Sequence, residues 1–93
     1  MNTRTIQVRI VGRVQGVGFR AYIEMNAEML GIEGWVRNRR DGSVEAVFQG
    51  APDAIQTILL RCWKGPPSSS VIEVEHIGEG VGAFEGFEIR PTH

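Results

Sequence analysis

The chain has 93 residues, 42% of them hydrophobic and 23% charged, the totals of one soluble domain with a single core and no room for a second. Ten basic residues against eleven acidic ones leave a formal net charge of -1, which argues against a broad nucleic-acid footprint and leaves only local basic sites. The single cysteine, Cys62, excludes an internal disulfide, and no apolar run approaches the ~20 residues of a membrane span. The N-terminal MNTRTIQVRIVG alternates and lacks the continuous apolar centre of a secretory signal, so a cytoplasmic location is expected.

From Thr5 to Gly12, Ile6, Val8 and Ile10 alternate with Gln7, Arg9 and Val11, the period of a half-buried strand. The stretch GRVQGVGFR, Gly12 to Arg20, follows. From Phe19 the period becomes helical, because Phe19, Ile23, Ala27 and Leu30 fall on one face, and Gly31 supplies a left-handed cap. Ile32 to Asn38 reads as a second strand, Arg40-Asp41-Gly42-Ser43 as a hairpin turn, and Val44 to Gln49 as a third strand with Val44, Ala46 and Phe48 on one face. Gly50 breaks that strand. Pro52 then suits the first turn of a second helix with the stripe Ile55, Ile58, Leu59 and Cys62, which Gly65-Pro66-Pro67 ends. In that stripe Cys62, beside Trp63, is packing material and not a nucleophile. Val71 to Ile77 alternates as a fourth strand, Gly78 to Gly82 is a glycine-rich loop, and Phe87 to Arg90 is a short closing strand.

The order strand, helix, strand, strand, helix, strand predicts one α+β domain over residues 1–93. It is a ferredoxin-like βαββαβ sandwich, an antiparallel sheet with both helices on one face. That fold hosts many unrelated functions, so chemistry has to be read from sites.

A glycine-rich loop that runs into a helix N-terminus is a ready anion site, because free amides point outward and the helix dipole favours negative charge. None of Gln15, Gly16, Val17, Gly18, Phe19 and Arg20 is proline, so all six can offer an N–H, and successive amides curling around one point form a nest for a phosphoryl group. Two familiar phosphate motifs are excluded. The loop lacks the Lys-Ser/Thr of a nucleotide P-loop, and its glycines fall at 12, 16 and 18, not in the Gly-x-Gly-x-x-Gly spacing of dinucleotide binding. A tight structural turn would use the same glycines, and spacing alone leaves both readings open. Arg20 is placed to add a planar cation to the ring of amides, whereas Arg13 reads as a solvated charge. Asn38 shares a strand face with Val36 near the strand end. Its carboxamide suits either holding a water molecule or capping the turn. Asp41 reads as a turn residue, not a base.

Together these two segments closely resemble the signatures of the acylphosphatase family, the first matched by Gly12-Arg13-Val14-Gln15-Gly16-Val17-Gly18-Phe19-Arg20. The second is matched by Gly34-Trp35-Val36-Arg37-Asn38 with Asp41-Gly42-Ser43-Val44-Glu45. Ala27 to Ile32, Gly65 to Ser68 and Phe84 to Arg90 look like further family segments, so the likeness covers nearly the whole chain. The resemblance implies hydrolysis of acyl phosphates to carboxylate and inorganic phosphate. It implies that Arg20 and the amides of Gln15, Gly16, Val17, Gly18, Phe19 and Arg20 bind the phosphoryl group, and that Asn38 orients the attacking water. It further implies that no metal or cofactor takes part. A small-molecule acyl phosphate is then the expected partner, with no nucleic acid and no membrane, and small size with balanced charge favours a monomer.

Several features stand outside the match. Arg39-Arg40 makes the turn after Asn38 basic, as an electrostatic guide for anions or as a solvated pair. Ser68-Ser69-Ser70 departs from the usual small apolar residue, and His76 and His93 fall in neither signature. Competing readings are a carbamoyl-phosphate module of the kind found in hydrogenase-maturation proteins, which are long and cysteine-rich, and a non-catalytic phosphate- or RNA-binding ferredoxin-like module. An RNA platform would need exposed aromatics on the central strands, for which Phe48 and Trp35 are the available residues.

Overall fold

The alternating segment near the N-terminus becomes a central strand, β1 (Arg4–Arg13), in a computed structural model that describes residues 2–80 and 82–93. It is followed by α1 (Phe19–Met29), β2 (Glu33–Asn38), β3 (Val44–Gly50), α2 (Pro52–Lys64), β4 (Ser70–Glu79) and β5 (Phe87–Ile89). The sheet order is β4-β1-β3-β2-β5. β1 runs antiparallel between β3 and β4, with Ile6 opposite Phe48 and Ile10 opposite Val44. β2 pairs antiparallel with β3 and brings Asn38 opposite Val44. Both helices pack on the face formed by Ile6, Val8, Ile10, Val36, Val44, Ala46 and Phe48, with Phe19, Ile23 and Ala27 from α1 and Ile55, Ile58 and Cys62 from α2. This is the expected α+β ferredoxin-like sandwich.

The closing strand adds a feature that the local pattern did not carry. β5 pairs in parallel with β2, Gly34 beside Phe87 and Val36 beside Ile89, so the sheet is mixed and not wholly antiparallel. Three residues contain no orientation signal. The chain then continues along β2, with Arg90 N donating to Val36 O at 2.9 Å and His93 N to Asn38 O at 3.0 Å. This edge therefore runs up to the site-bearing end of β2.

β4 also differs from simple alternation. Its pairing with β1 slips twice, leaving Ile72 between the partners of Val11 and Gly12, and Ile77 between those of Gln7 and Val8. Each slip inserts one residue, as a bulge does. Val71 and Val74, on opposite sides of a strict alternation, consequently both pack against the core, while Ile72 is exposed. Gly78 and Glu79, expected in a loop, belong to the strand. The remainder of that expected loop contains Val81, which lies outside the described residues, as does Met1.

The helices are tied to each other by polar groups as well as apolar ones. Asn26 is buried, its Nδ2 donates to Tyr22 O at 2.8 Å, and its Oδ1 accepts from Arg61 Nη1 at 2.6 Å. Tyr22 Oη donates back to Arg61 O at 2.8 Å. The ring of bonds fixes the rotation of α1 about its axis, and with it the direction in which the first turn of α1 faces.

Cys62 has no exposed surface, and burial pushes its thiol from the ordinary 9.0 up to about 12. The native protein is therefore expected to resist alkylation by iodoacetamide at pH 8 and to react once denatured. Because the folded pKa is raised, the neutral thiol's contribution to stability is complete below the unfolded value and is lost as pH rises towards 12. Urea melts between pH 8 and 11, compared with those of Cys62→Ala, read that loss.

Candidate active site

Between the last residue of β1 and the first of α1 the chain reverses through Val14–Gly18, and glycine makes the reversal possible. Gly16 (φ +73°) and Gly18 (φ +79°) adopt left-handed backbone that costs other residues ~1–2 kcal/mol. Neither has a heavy atom within 4 Å of where a Cβ would stand, so the demand is conformational, not steric. Gly12 answers a different need, since a Cβ there would lie 2.2 Å from Ser70 O on β4.

Gly18 is the N-cap of α1 and has no side chain to close the helix end, and no acidic residue stands in the first turn. The first helical bond is Tyr22 N to Gly18 O at 3.0 Å. Among the described residues, none of the seven consecutive amides from Gln15 to Ala21 finds a protein acceptor. A helix N-terminus of this kind presents partial positive charge with nothing to offset it.

A cavity of about 260 Å³ opens at this point, lined by Val14, Gln15, Gly16, Gly18, Phe19, Arg20, Ala21, Asn38 and Ile89. The structure thus brings together Gln15, Gly16, Gly18, Phe19, Arg20 and Asn38 from two segments far apart in sequence. Val17 differs from the other expected residues in that its side chain packs against the core, leaving its backbone N–H as the group it can offer. Arg20 makes no ion pair or side-chain hydrogen bond among the described residues. Asn38 is equally uncommitted: its Oδ1 is buried without a hydrogen-bond partner among the protein groups. The lining carries no carboxylate, imidazole or thiol.

Two contributors escape a reading of the sequence alone. The Ala21 amide is the third of the free first turn, which follows once Phe19 is taken as the first helical residue. Ile89 arrives by the parallel pairing of β5, for which no local signal exists. The Gln15 side chain also has partners: Nε2 donates to Arg39 O at 2.7 Å and to Ser43 O at 2.9 Å.

The basic turn is largely neutralised. Arg39 lies 3.9 Å from Asp41 and 3.5 Å from Glu45, leaving Arg40 as its exposed charge without an ion pair among the described residues. Asp41 accepts from Ser43 N at 2.9 Å and Ser43 Oγ at 2.6 Å, and those two bonds hold its carboxyl below the usual range. It is a turn residue. Of the two aromatics weighed for an RNA platform, Phe48 is in the core beneath the helices. Trp35 is 7% exposed and covered by the guanidinium groups of Arg37, 4.6 Å from its ring, and Arg90, 4.9 Å away.

Architecture and site define a ferredoxin-like α+β domain whose first helix opens on a ring of uncommitted amides beside an arginine and an asparagine. The chain belongs to the acylphosphatase family, whose model matches residues 6–89. It is 49% identical over 98 aligned positions to an acylphosphatase of Bradyrhizobium diazoefficiens, an alignment covering 99% of each chain. Among solved structures it is similar to an acylphosphatase from Coxiella burnetii, with a TM-score of 0.91 and 37% identity over 96% of this chain and 94% of that one. It is also similar to acylphosphatase from Bacillus subtilis, with a TM-score of 0.88 and 32% identity over 96% and 99% of the two chains.

Proposed function

We propose that this chain hydrolyses acyl phosphates, mixed anhydrides of a carboxylic acid and phosphoric acid, through the loop of Gln15–Arg20, the guanidinium of Arg20 and the carboxamide of Asn38. The observation that carries the reading is the meeting, at one small cavity, of unpaired amides, an unpaired arginine and an unpaired carboxamide. A folded chain leaves so many strong hydrogen-bonding groups uncommitted where a ligand will use them. Family membership supplies the substrate class.

The roles follow from charge and geometry. Amides from Gln15 to Arg20 and the positive end of α1 receive the phosphoryl oxygens, and Arg20 adds a two-pronged donor from the rim. These fixed donors stabilise the charge that builds on the equatorial oxygens as the bond to the leaving carboxylate lengthens. Asn38 holds a water in line with that bond, its carboxamide oxygen accepting from a water O–H so that a lone pair of the water oxygen stays free for phosphorus. The water oxygen bonds to phosphorus, the phosphorus–oxygen bond to the acyl group breaks with its electron pair leaving on the carboxylate, and a water proton passes to a phosphate oxygen.

No protein base is required in this scheme, in keeping with a lining that has no titratable group other than Arg20. The carboxylate is a weak base and departs without a general acid. With all positive charge supplied by backbone dipoles and Arg20, the reaction proceeds without a metal. The phosphoryl end is recognised, and the acyl group extends past the exposed Ile89 towards solvent.

Hydrolysis of benzoyl phosphate in the presence of EDTA tests the proposal. Arg20→Ala and Asn38→Ala are each expected to lower kcat by about 10²- to 10³-fold, the loss typical of one transition-state donor. Arg20→Ala should also weaken inhibition by inorganic phosphate, whereas Asn38→Ala should leave that inhibition nearly unchanged. Full turnover in Asn38→Ala would remove the water-holding role. A folded wild type that binds phosphate and turns nothing over would leave a binding module.

A further inference from the structure

Among the described residues, the glycine loop of residues Val14–Gly18 is hydrogen-bonded to the Asn38-bearing hairpin through one side chain. Among the described residues, the two bonds of Gln15 Nε2 are the hydrogen bonds that join this loop to the β2–β3 hairpin. Both acceptors belong to the pair that closes the hairpin. Arg39 N donates to Ser43 O at 2.9 Å, and Gly42 N donates to Arg39 O at 3.1 Å. The Gln15 carboxamide adds a second donor to each of these carbonyls, 2.7 Å from Arg39 O and 2.9 Å from Ser43 O. Asn38 immediately precedes Arg39 and pairs with Val44, the residue after Ser43.

We infer that the Gln15 side chain is a positioning residue that sets the spacing between the amide cradle and the Asn38 carboxamide. The inference rests on the water-holding role given to Asn38 above. A primary amide is suited to the task, because its two N–H bonds diverge in one plane and it carries no net charge. Glutamate would set acceptors against the two carbonyl oxygens, and lysine or arginine would place a further full charge beside the phosphate cradle. The span matters because attack by water needs the oxygen close to phosphorus and in line with the leaving group, and misplacement by ~1 Å costs on the order of 10²-fold.

Four measurements separate positioning from a merely structural bond. Gln15→Met keeps the chain length and removes both donors. It is expected to lower kcat on benzoyl phosphate by about 10- to 100-fold with little change in inhibition by inorganic phosphate, which uses the amides and Arg20. In an Asn38→Ala background the same substitution should cost nothing further, since the group being positioned is gone. Losses that multiply in the double variant would overturn the inference. Gln15→Glu adds a pH signature: relative to wild type, its kcat should recover as pH falls through the range of the new carboxyl, because the protonated form regains one donor. A ratio flat in pH would count against the donor role. Independently of turnover, the Asn38 side-chain amide resonances should shift in Gln15→Met, and unchanged resonances in a folded variant would overturn the proposal. A wild type without turnover would defeat the hydrolase reading and leave these resonances to decide the positioning.

Discussion

Five residues, Val14–Gly18, turn the chain from the end of β1 into α1, and the remaining features of the site depend on that constraint. A reversal so short cannot pair its own amides, and the helix it feeds begins with a glycine that brings no capping side chain. The cost is a run of unsatisfied donors at the positive end of a helix dipole. The fold meets that cost because the core beneath is well filled: Val14 and Phe19 at either end of the loop are both buried. They hold the backbone in place while Gly16 and Gly18 supply left-handed conformations that would strain other residues.

The two faces of the sheet divide the work. Helices, apolar strand residues and Cys62 form the core on one side. On the other, Glu45 is nearly inaccessible yet accepts from Gln7 Nε2 at 2.6 Å and Arg37 Nε at 2.8 Å, with Arg39 close by. A buried carboxylate with this many donors adds little net stability, but removing one partner would leave a costly unpaired charge. Its geometric effect is to hold β1, β2 and β3 in one register. Register fixes where Asn38 ends relative to the loop that follows β1, so the polar face serves the site from the side opposite the core.

Much of this was legible in the sequence because the signals were local. The period change at Phe19 located the start of α1, Asp41-Gly42 located the hairpin, and Pro52 and Gly65 bracketed α2. The glycine loop and the Gly34–Asn38 segment pointed to family and fold together. What stayed hidden depended on tertiary context. The bulges at Ile72 and Ile77 arise from pairing with β1 and erase the expected alternation of β4. The parallel placement of β5, which brings Ile89 to the cavity, has no counterpart in a three-residue pattern. Asn26 sits on a helix as an ordinary polar residue until Arg61, 35 positions away, gives it a partner. For Gln15 the sequence offered only a backbone donor, and the two bonds of its side chain depend on where Arg39 and Ser43 lie.

On the reading proposed above, the amides of this loop form a receptor for a phosphoryl group. Titration of inorganic phosphate into the ¹⁵N-labelled protein tests it most directly. The largest amide shifts are expected on Gln15 to Ala21 and on the Arg20 side chain, saturating together and collapsing in Arg20→Ala. Shifts centred on another surface, such as the exposed Arg13 or Arg40, or no saturable shifts in the folded protein, would contradict it.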